Sequence, residues 1–517
     1  MTFKPFFVVL LIAALPTLAQ TQRMTLRAML ALKKPTIDKV YYITDSDKEG
    51  NWRYDAQDTE SEPNTGTILA SSKRGVLGRF KRVFDIEKGV NIDWFLADEE
   101  TINVGLRQAM QVAEQINFGH KTYQIDTLTI RPYMLINVNR LIFNFQNTTL
   151  QAQDGLDRIK VIQIEDIVQL IFLGNVILDG NTRKSQIISP LKQGGEAFLQ
   201  IIAPKNNSKS VLTIGSMSIV NMPMCGVNVI TRNNEQDLGY DRITAQALKE
   251  INGFNGLNIQ QDDFAVWGIN FRGAHRAIVI DTLYTQQDNE PWGDASIEKP
   301  FYTFTFENQV DPTVHKRKDS LYVKNLIAKN PCSLVFYTQA INHILVDNYL
   351  IDGALRKPNV PDTKAYPTML AKQLSWVGSK HTWTSYKSPN SSFRIKKLLI
   401  KNTNPAFMNN AINDITGLWL NKGITGAIFD EIDTDVRLKF QGDGYYFGFV
   451  DVPDGKHHVK KFICRIPAKR NYVQPFNGDI TIDSLYLAKS SGVVMRRSNA
   501  RIKAIKQENG TKASFEQ

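Results

Sequence analysis

The 517-residue chain holds only three cysteines, Cys225, Cys332 and Cys464. So few, so far apart, supply neither a disulfide framework nor a zinc site. No apolar run is long enough to cross a bilayer. Glycine-rich phosphate loops, the HExxH zinc signature and the GxSxG nucleophile turn are all missing. With them go nucleotide-driven chemistry, zinc proteolysis and the serine-hydrolase elbow. Beyond residue 120 no segment keeps a 3.6-residue apolar period over three turns, which excludes a helical repeat.

What is present begins with an export signal. The first twenty residues, "MTFKPFFVVLLIAALPTLAQ", join an early Lys4 to an apolar run over residues 6–15 and a small-residue ending. That is the pattern of a cleavable signal peptide, so a secreted or periplasmic protein with no membrane span is expected. The formal net charge of +11 suits an anionic partner. Outside the cell, a uronic-acid or sulfated polysaccharide is favoured over nucleic acid.

The strongest signal is internal repetition. In "LTIGSMSIVN" apolar residues stand at offsets 0, 2, 5 and 7: Leu212, Ile214, Met217 and Ile219. The same template fits "IFLGNVILDG" (Ile171, Leu173, Val176, Leu178), "FAVWGINFRG" from Phe264, "LYVKNLIAKN" from Leu321, "ILVDNYLIDG" from Ile344, "FRIKKLLIKN" from Phe393 and "ITIDSLYLAK" from Ile480. Each copy reads as two short strands joined by a two-residue corner. Alternate residues of a strand point one way, and the corner shifts the phase so that both limbs face one interior. The pattern predicts an all-β fold, a right-handed parallel β-helix, over residues 120–500. Residues 21–90 form an N-terminal extension and 501–517 a tail. Three side loops interrupt the coils, at 284–318, 356–392 and 430–478.

"TINVGLRQAMQVAEQI" places Ile102, Leu106, Ala109, Met110, Ala113 and Ile116 on one helical face. A solenoid has an open apolar end, so this helix, within residues 91–119, is expected to cap it. Asp98, Glu99 and Glu100 precede it and read as negative charge against the helix N-terminus, worth about 0.3–1 kcal/mol each.

The N-terminal residues carry a resemblance. Trp94-Phe95-Leu96-Ala97, the acidic Asp98-Glu99-Glu100-Thr101, the helix and "FGHKTYQIDTLTI" with Tyr123 are similar to the entry region of pectate lyase-like β-helix proteins. That group includes polygalacturonase-related hydrolases, polysaccharide lyases and tail-spike depolymerases. The resemblance implies the β-helix and a carbohydrate substrate. Leu96 stands where the group has Gly, and the group's Gly-Asp-Gly is missing.

Residues just before the template supply the candidate site. Position −1 is Asp263, Ser320 and His343, and position −2 is Asp262, Asp319 and Asn342. Equivalent positions on successive coils stack about 4.8 Å apart. Asp262, Asp263, Asp319 and His343 are therefore the candidate catalytic set, two carboxylates within reach of a His for acid–base chemistry. The same acids could instead hold Ca²⁺. A solvated polar turn column is the plain alternative. Trp292, Trp376 and Trp383 in the loops, with Arg317 and Lys318, are candidate substrate contacts: aromatic rings stack on sugars and cations meet uronates. A further column, Lys324, Asp347 and Lys396, reads as a charge ladder on an outer corner. The expected function is cleavage of an anionic polysaccharide by lysis or hydrolysis. The alternative is a non-catalytic glycan-binding or surface structural β-helix.

Overall fold

The computed structural model describes residues 21–96, 101–154, 160–181, 197–205, 208–222, 225–232, 238–251, 266–286, 301–307, 319–329, 334–353, 369–372, 374–377, 382–385, 392–401, 418–420, 426–434, 445–450, 456–465, 471–474, 479–487, 493–494 and 501–507. It has two compact units, one up to Glu99 with Val104–Ala109, the other made of the remainder.

The first unit is a folded sheet rather than an extension. Its strand order is Thr21–Met24, Val40–Ile43, Gly50–Asp55, Arg79–Val83, Ile68–Ala70. Thr21–Met24 joins parallel, and the other four strands pair antiparallel. Alternating apolar positions give it a core of Met29, Tyr41, Ile43, Trp52, Tyr54, Leu69 and Phe80. Arg82, 6% exposed, lies between the rings of Trp52 (4.6 Å) and Trp94 (4.1 Å). It donates to the carbonyls of Gly66, Glu49 and Lys48. A buried guanidinium needs such acceptors, since an unpaired one would cost far more than the packing returns.

The second unit is a parallel solenoid. Bent strands of about ten residues form a first sheet, and shorter strands form a second. The chain alternates between them: Val211–Val220, then Cys225–Ile230, then Arg242–Ile251, then Val266–Arg272, then Ala277–Gln286. From Gln115–Phe118 to the end of the solenoid, neighbouring strands of both sheets pair parallel, as in Ser320↔His343 and Phe304↔Phe336. In Ser320–Lys329 the buried residues are Leu321, Val323, Leu326 and Ala328, and the fifth residue, Lys324, drops out of the ladder where the strand turns. Phenylalanines from successive second-sheet strands meet inside, Phe271 stacked on Phe306 at 5.3 Å and Phe306 tilted against Phe336 at 5.8 Å. Each buried Leu, Ile or Phe contributes about 1.5–3 kcal/mol.

Four expectations change. Leu170 and Phe172, not Ile171 and Leu173, face the core, because a bulge at Gly174 adds one residue before the second limb. "FAVWGINFRG" feeds a second-sheet strand, Val266–Arg272, so it is no copy of the first-sheet template. The stretches at 284–318 and 430–478 are not mere loops. They contain the second-sheet strands Phe301–Glu307 and Tyr445–Val450, and the second also holds a full first-sheet rung, Lys456–Cys464. The helix spans Asn103–Met110 only, and Gln115–Phe118 is already a strand, paired with Arg140–Ala152. Asp98, Glu99 and Glu100 lie outside the described residues. Among the described residues no helix is long and apolar enough to cross a membrane.

Candidate functional site

The register rearranges the predicted catalytic column. Ser320 and His343 are partners, as expected, and His343 N donates to Asp319 O at 3.1 Å. The residue below Ser320 is Ala277, not Asp263. Asp262 and Asp263 lie outside the described residues and precede a strand of the other sheet. Asp319 is 3% exposed, whereas His343 sits half-buried with Nδ1 3.0 Å from Ser392 Oγ. Alternation separates them: position −2 turns inward and position −1 outward. Trp292, Arg317 and Lys318 lie outside the described residues. Trp376 and Trp383 are register partners in an antiparallel hairpin, Leu374–Val377 with Thr382–Ser385.

What Asp319 meets instead is a small pocket with Glu307, His275, Ser320, Phe271 and Phe306. Gly273, with φ 121°, turns the chain here and donates to Glu307 O at 2.8 Å. A side chain at Gly273 would collide with Thr231 at 2.6 Å. His275, 2% exposed, accepts from Tyr240 N at 3.1 Å through Nδ1. The ring proton must then be on Nε2, which faces the Val229 carbonyl at 3.4 Å. Both nitrogens serve the backbone, so His275 holds the turn and is not an acid–base group. Glu307 lies 3.8 Å from Arg272 Nε. Two carboxylates lining one pocket are the elements of acid–base catalysis, one giving and one taking a proton. Among the described residues no three His, Cys, Asp or Glu are grouped to hold a metal ion.

Sequence reasoning missed a second feature. Five successive second-sheet strands carry a polar residue in register at mid-strand: Gln163, Gln200, Asn228, Asn270, Thr305. Tyr337 follows Thr305, and its hydroxyl donates to Gln339 Oε1 at 2.7 Å. Asn270 Nδ2 donates to Asn228 Oδ1 at 3.0 Å. Asn270 Oδ1, Thr305 Oγ1 and Gln339 Nε2 are buried with no hydrogen-bond partner. An unmade bond of this kind costs about 1–3 kcal/mol, and Asn270, Thr305 and Gln339 are at most 2% exposed, so these atoms are closed to solvent. At its start Glu165 is bracketed by Arg131 and Arg232, each at 3.3 Å. The signal in the sequence was the recurring apolar–polar–apolar triplet, as in Ile162-Gln163-Ile164 and Val227-Asn228-Val229.

The family model described as "Phage tail protein small four-stranded beta-sheet domain" matches residues 14–85. That stretch takes in the antiparallel strands of the first unit with the parallel strand at their edge. No curated protein matches the chain at a significant level.

Proposed function

We propose that the chain is a component of a phage-like tail, attached through its N-terminal sheet, whose solenoid recognises an anionic surface polysaccharide. The tail-domain match over residues 14–85 carries the first part. The net positive charge of the chain supports the second. Right-handed coiling and a helical cap at the start of the solenoid belong to this reading, as does export through a cleaved leader. Loss of that leader leaves the first strand, Thr21–Met24, intact. The test is a panel of neutral, uronic and sulfated polysaccharides, read for binding and for new reducing and unsaturated ends. Salt-sensitive binding to an acidic glycan is expected, and failure to bind any acidic glycan overturns the reading.

A second reading, cleavage by hydrolysis or lysis, is favoured by Glu307 and Asp319 sharing one pocket. If it holds, Glu307→Gln and Asp319→Asn each lower turnover by about 10²-fold or more. Binding without new chain ends returns the solenoid to a recognition role.

A further inference from the structure

From Ala277–Gln286 onward the first-sheet strands carry charge of one sign each, and the sign reverses from coil to coil. Ala277–Gln286 has Asp281, Ser320–Lys329 has Lys324 and Lys329, and His343–Asp352 has Asp347 and Asp352. Ser392–Lys401 has Arg394, Lys396, Lys397 and Lys401, while Ala427–Thr434 has Asp430, Glu431 and Asp433. Lys456–Cys464 is basic again, Asp479–Leu487 acidic, and residues 501–507 basic. At the corner position the column reads Asp281, Lys324, Asp347, Lys396, Asp430, Lys460, Asp483, Lys503. Ion pairs cross between neighbours. Lys324 meets Asp281 at 3.2 Å and Lys396 meets Asp347 at 2.7 Å. Asp430 is held by Arg394 at 2.6 Å and Lys460 at 2.8 Å, and Asp483 by His458 and Lys503, both at 2.7 Å.

We propose that this alternation is a register code that specifies which coil stacks on which. The apolar template is nearly the same in every coil, so the core alone does not distinguish the next coil from the one after it. Charge does. Correct neighbours attract, and a skipped coil sets like charges about 4.8 Å apart. A merely solvated face has no reason to segregate sign by coil. A polyanion groove would carry one sign throughout, whereas this column cancels its own charge. Like charges directly opposite on paired strands are destabilising, which makes the device act against wrong pairings as well as for the right one.

Gly426, Lys456 and Asp479 occupy the same strand position, so deletions between them keep the phase. Deleting residues 426–455 removes one coil and sets basic strand against basic strand. Deleting 426–478 removes two coils and restores alternation. The shorter deletion is expected to melt lower than the longer one, and its Tm to rise with salt. A ranking by length lost, with equal salt slopes, overturns the proposal. If neither deletion folds, point variants of the full chain decide. Asp430→Lys with Glu431→Lys should melt about 5 °C or more below Asp430→Asn with Glu431→Gln. That gap should close near 1 M salt, where the Debye length is about 3 Å. Equal melting of the two double variants at low salt overturns it.

Discussion

The early and late coils of the solenoid turn the same corner by different means. In the early coils the corner is backbone. Gly174 adopts φ 68°, and a side chain there would sit 1.9 Å from Phe145 O. Gly215, one coil on, would meet Gly174 O at 2.5 Å. Asn175 Nδ2 donates to Asn147 Oδ1 at 2.8 Å, a neutral side-chain rung beside them. From Asp281 onward the corner is ionic. The core template is unchanged across this boundary: Leu212, Ile214, Met217 and Ile219 are as buried as Phe393, Ile395, Leu398 and Ile400. One apolar interior therefore accepts two kinds of outer join. The backbone join is set by geometry and tolerates no side chain. The ionic join tolerates substitution but answers to salt and pH.

The largest effect should come from breaking the backbone corner. Gly174→Val forces Cβ onto a carbonyl and keeps a positive φ, and should cost about 3 kcal/mol or more in denaturant unfolding. Asp281→Val at the ionic corner should cost under about 1 kcal/mol, since exposed pairs contribute little. Similar losses for both would erase the distinction.

A pH effect of comparable size belongs to the late coils. His457 occupies a core slot, accepts from Ala427 N at 3.0 Å, and is pushed by burial down to about 4. The native ring stays neutral, while the unfolded ring takes up a proton below about pH 6.5. Stability should therefore fall as pH drops from about 6.5 to about 4, by about 3 kcal/mol, and this group adds nothing further below that. His457→Asn keeps an acceptor for Ala427 N and should flatten the slope. An unchanged slope contradicts the assignment.

Asp430 gives a smaller, sharper test. Burial opposes its ionisation, yet hydrogen bonds from Lys460 and Arg394 hold its carboxyl below the usual range. Its contribution is present above about pH 4 and is lost as pH falls through its depressed native value. Asp430→Asn should cost about 1 kcal/mol at neutral pH and nothing at low pH. The smallest effect is expected at Lys324, whose pair with Asp281 is about half exposed on both sides. Lys324→Ala should change stability by under about 0.5 kcal/mol.

The solenoid was legible because alternation and corner together make a template that few other folds share. Copies were missed where one slot is not apolar. In Arg242–Ile251 the fourth slot is Glu250, in Ala277–Gln286 it is Thr285, and in Lys456–Cys464 the first is His457. The last of these misses turned a real rung into part of an apparent loop. The column of candidate acids failed for a related reason. A second-sheet strand with apolar residues two apart, Val266–Arg272, looks like a first limb until pairing is known. Three members of the charge column were read, Lys324, Asp347 and Lys396; Asp483 stands at the same offset of a recognised copy and was passed over, while Asp281, Asp430, Lys460 and Lys503 sat on unrecognised copies. The carboxylate pair of Glu307 and Asp319 joins the end of a second-sheet strand to the start of the next first-sheet strand, a closeness that spacing alone does not announce.

Hydrogen exchange read segment by segment at low and high salt tests the two-corner account most directly. About 1 M salt should lower protection roughly tenfold in the strands from Ser320–Lys329 to Asp479–Leu487, where ionic rungs carry the corner. Protection in Arg140–Ala152, Gln169–Asp179 and Val211–Val220 should not change. An equal loss along the whole solenoid, or a loss confined to the early coils, would contradict the account.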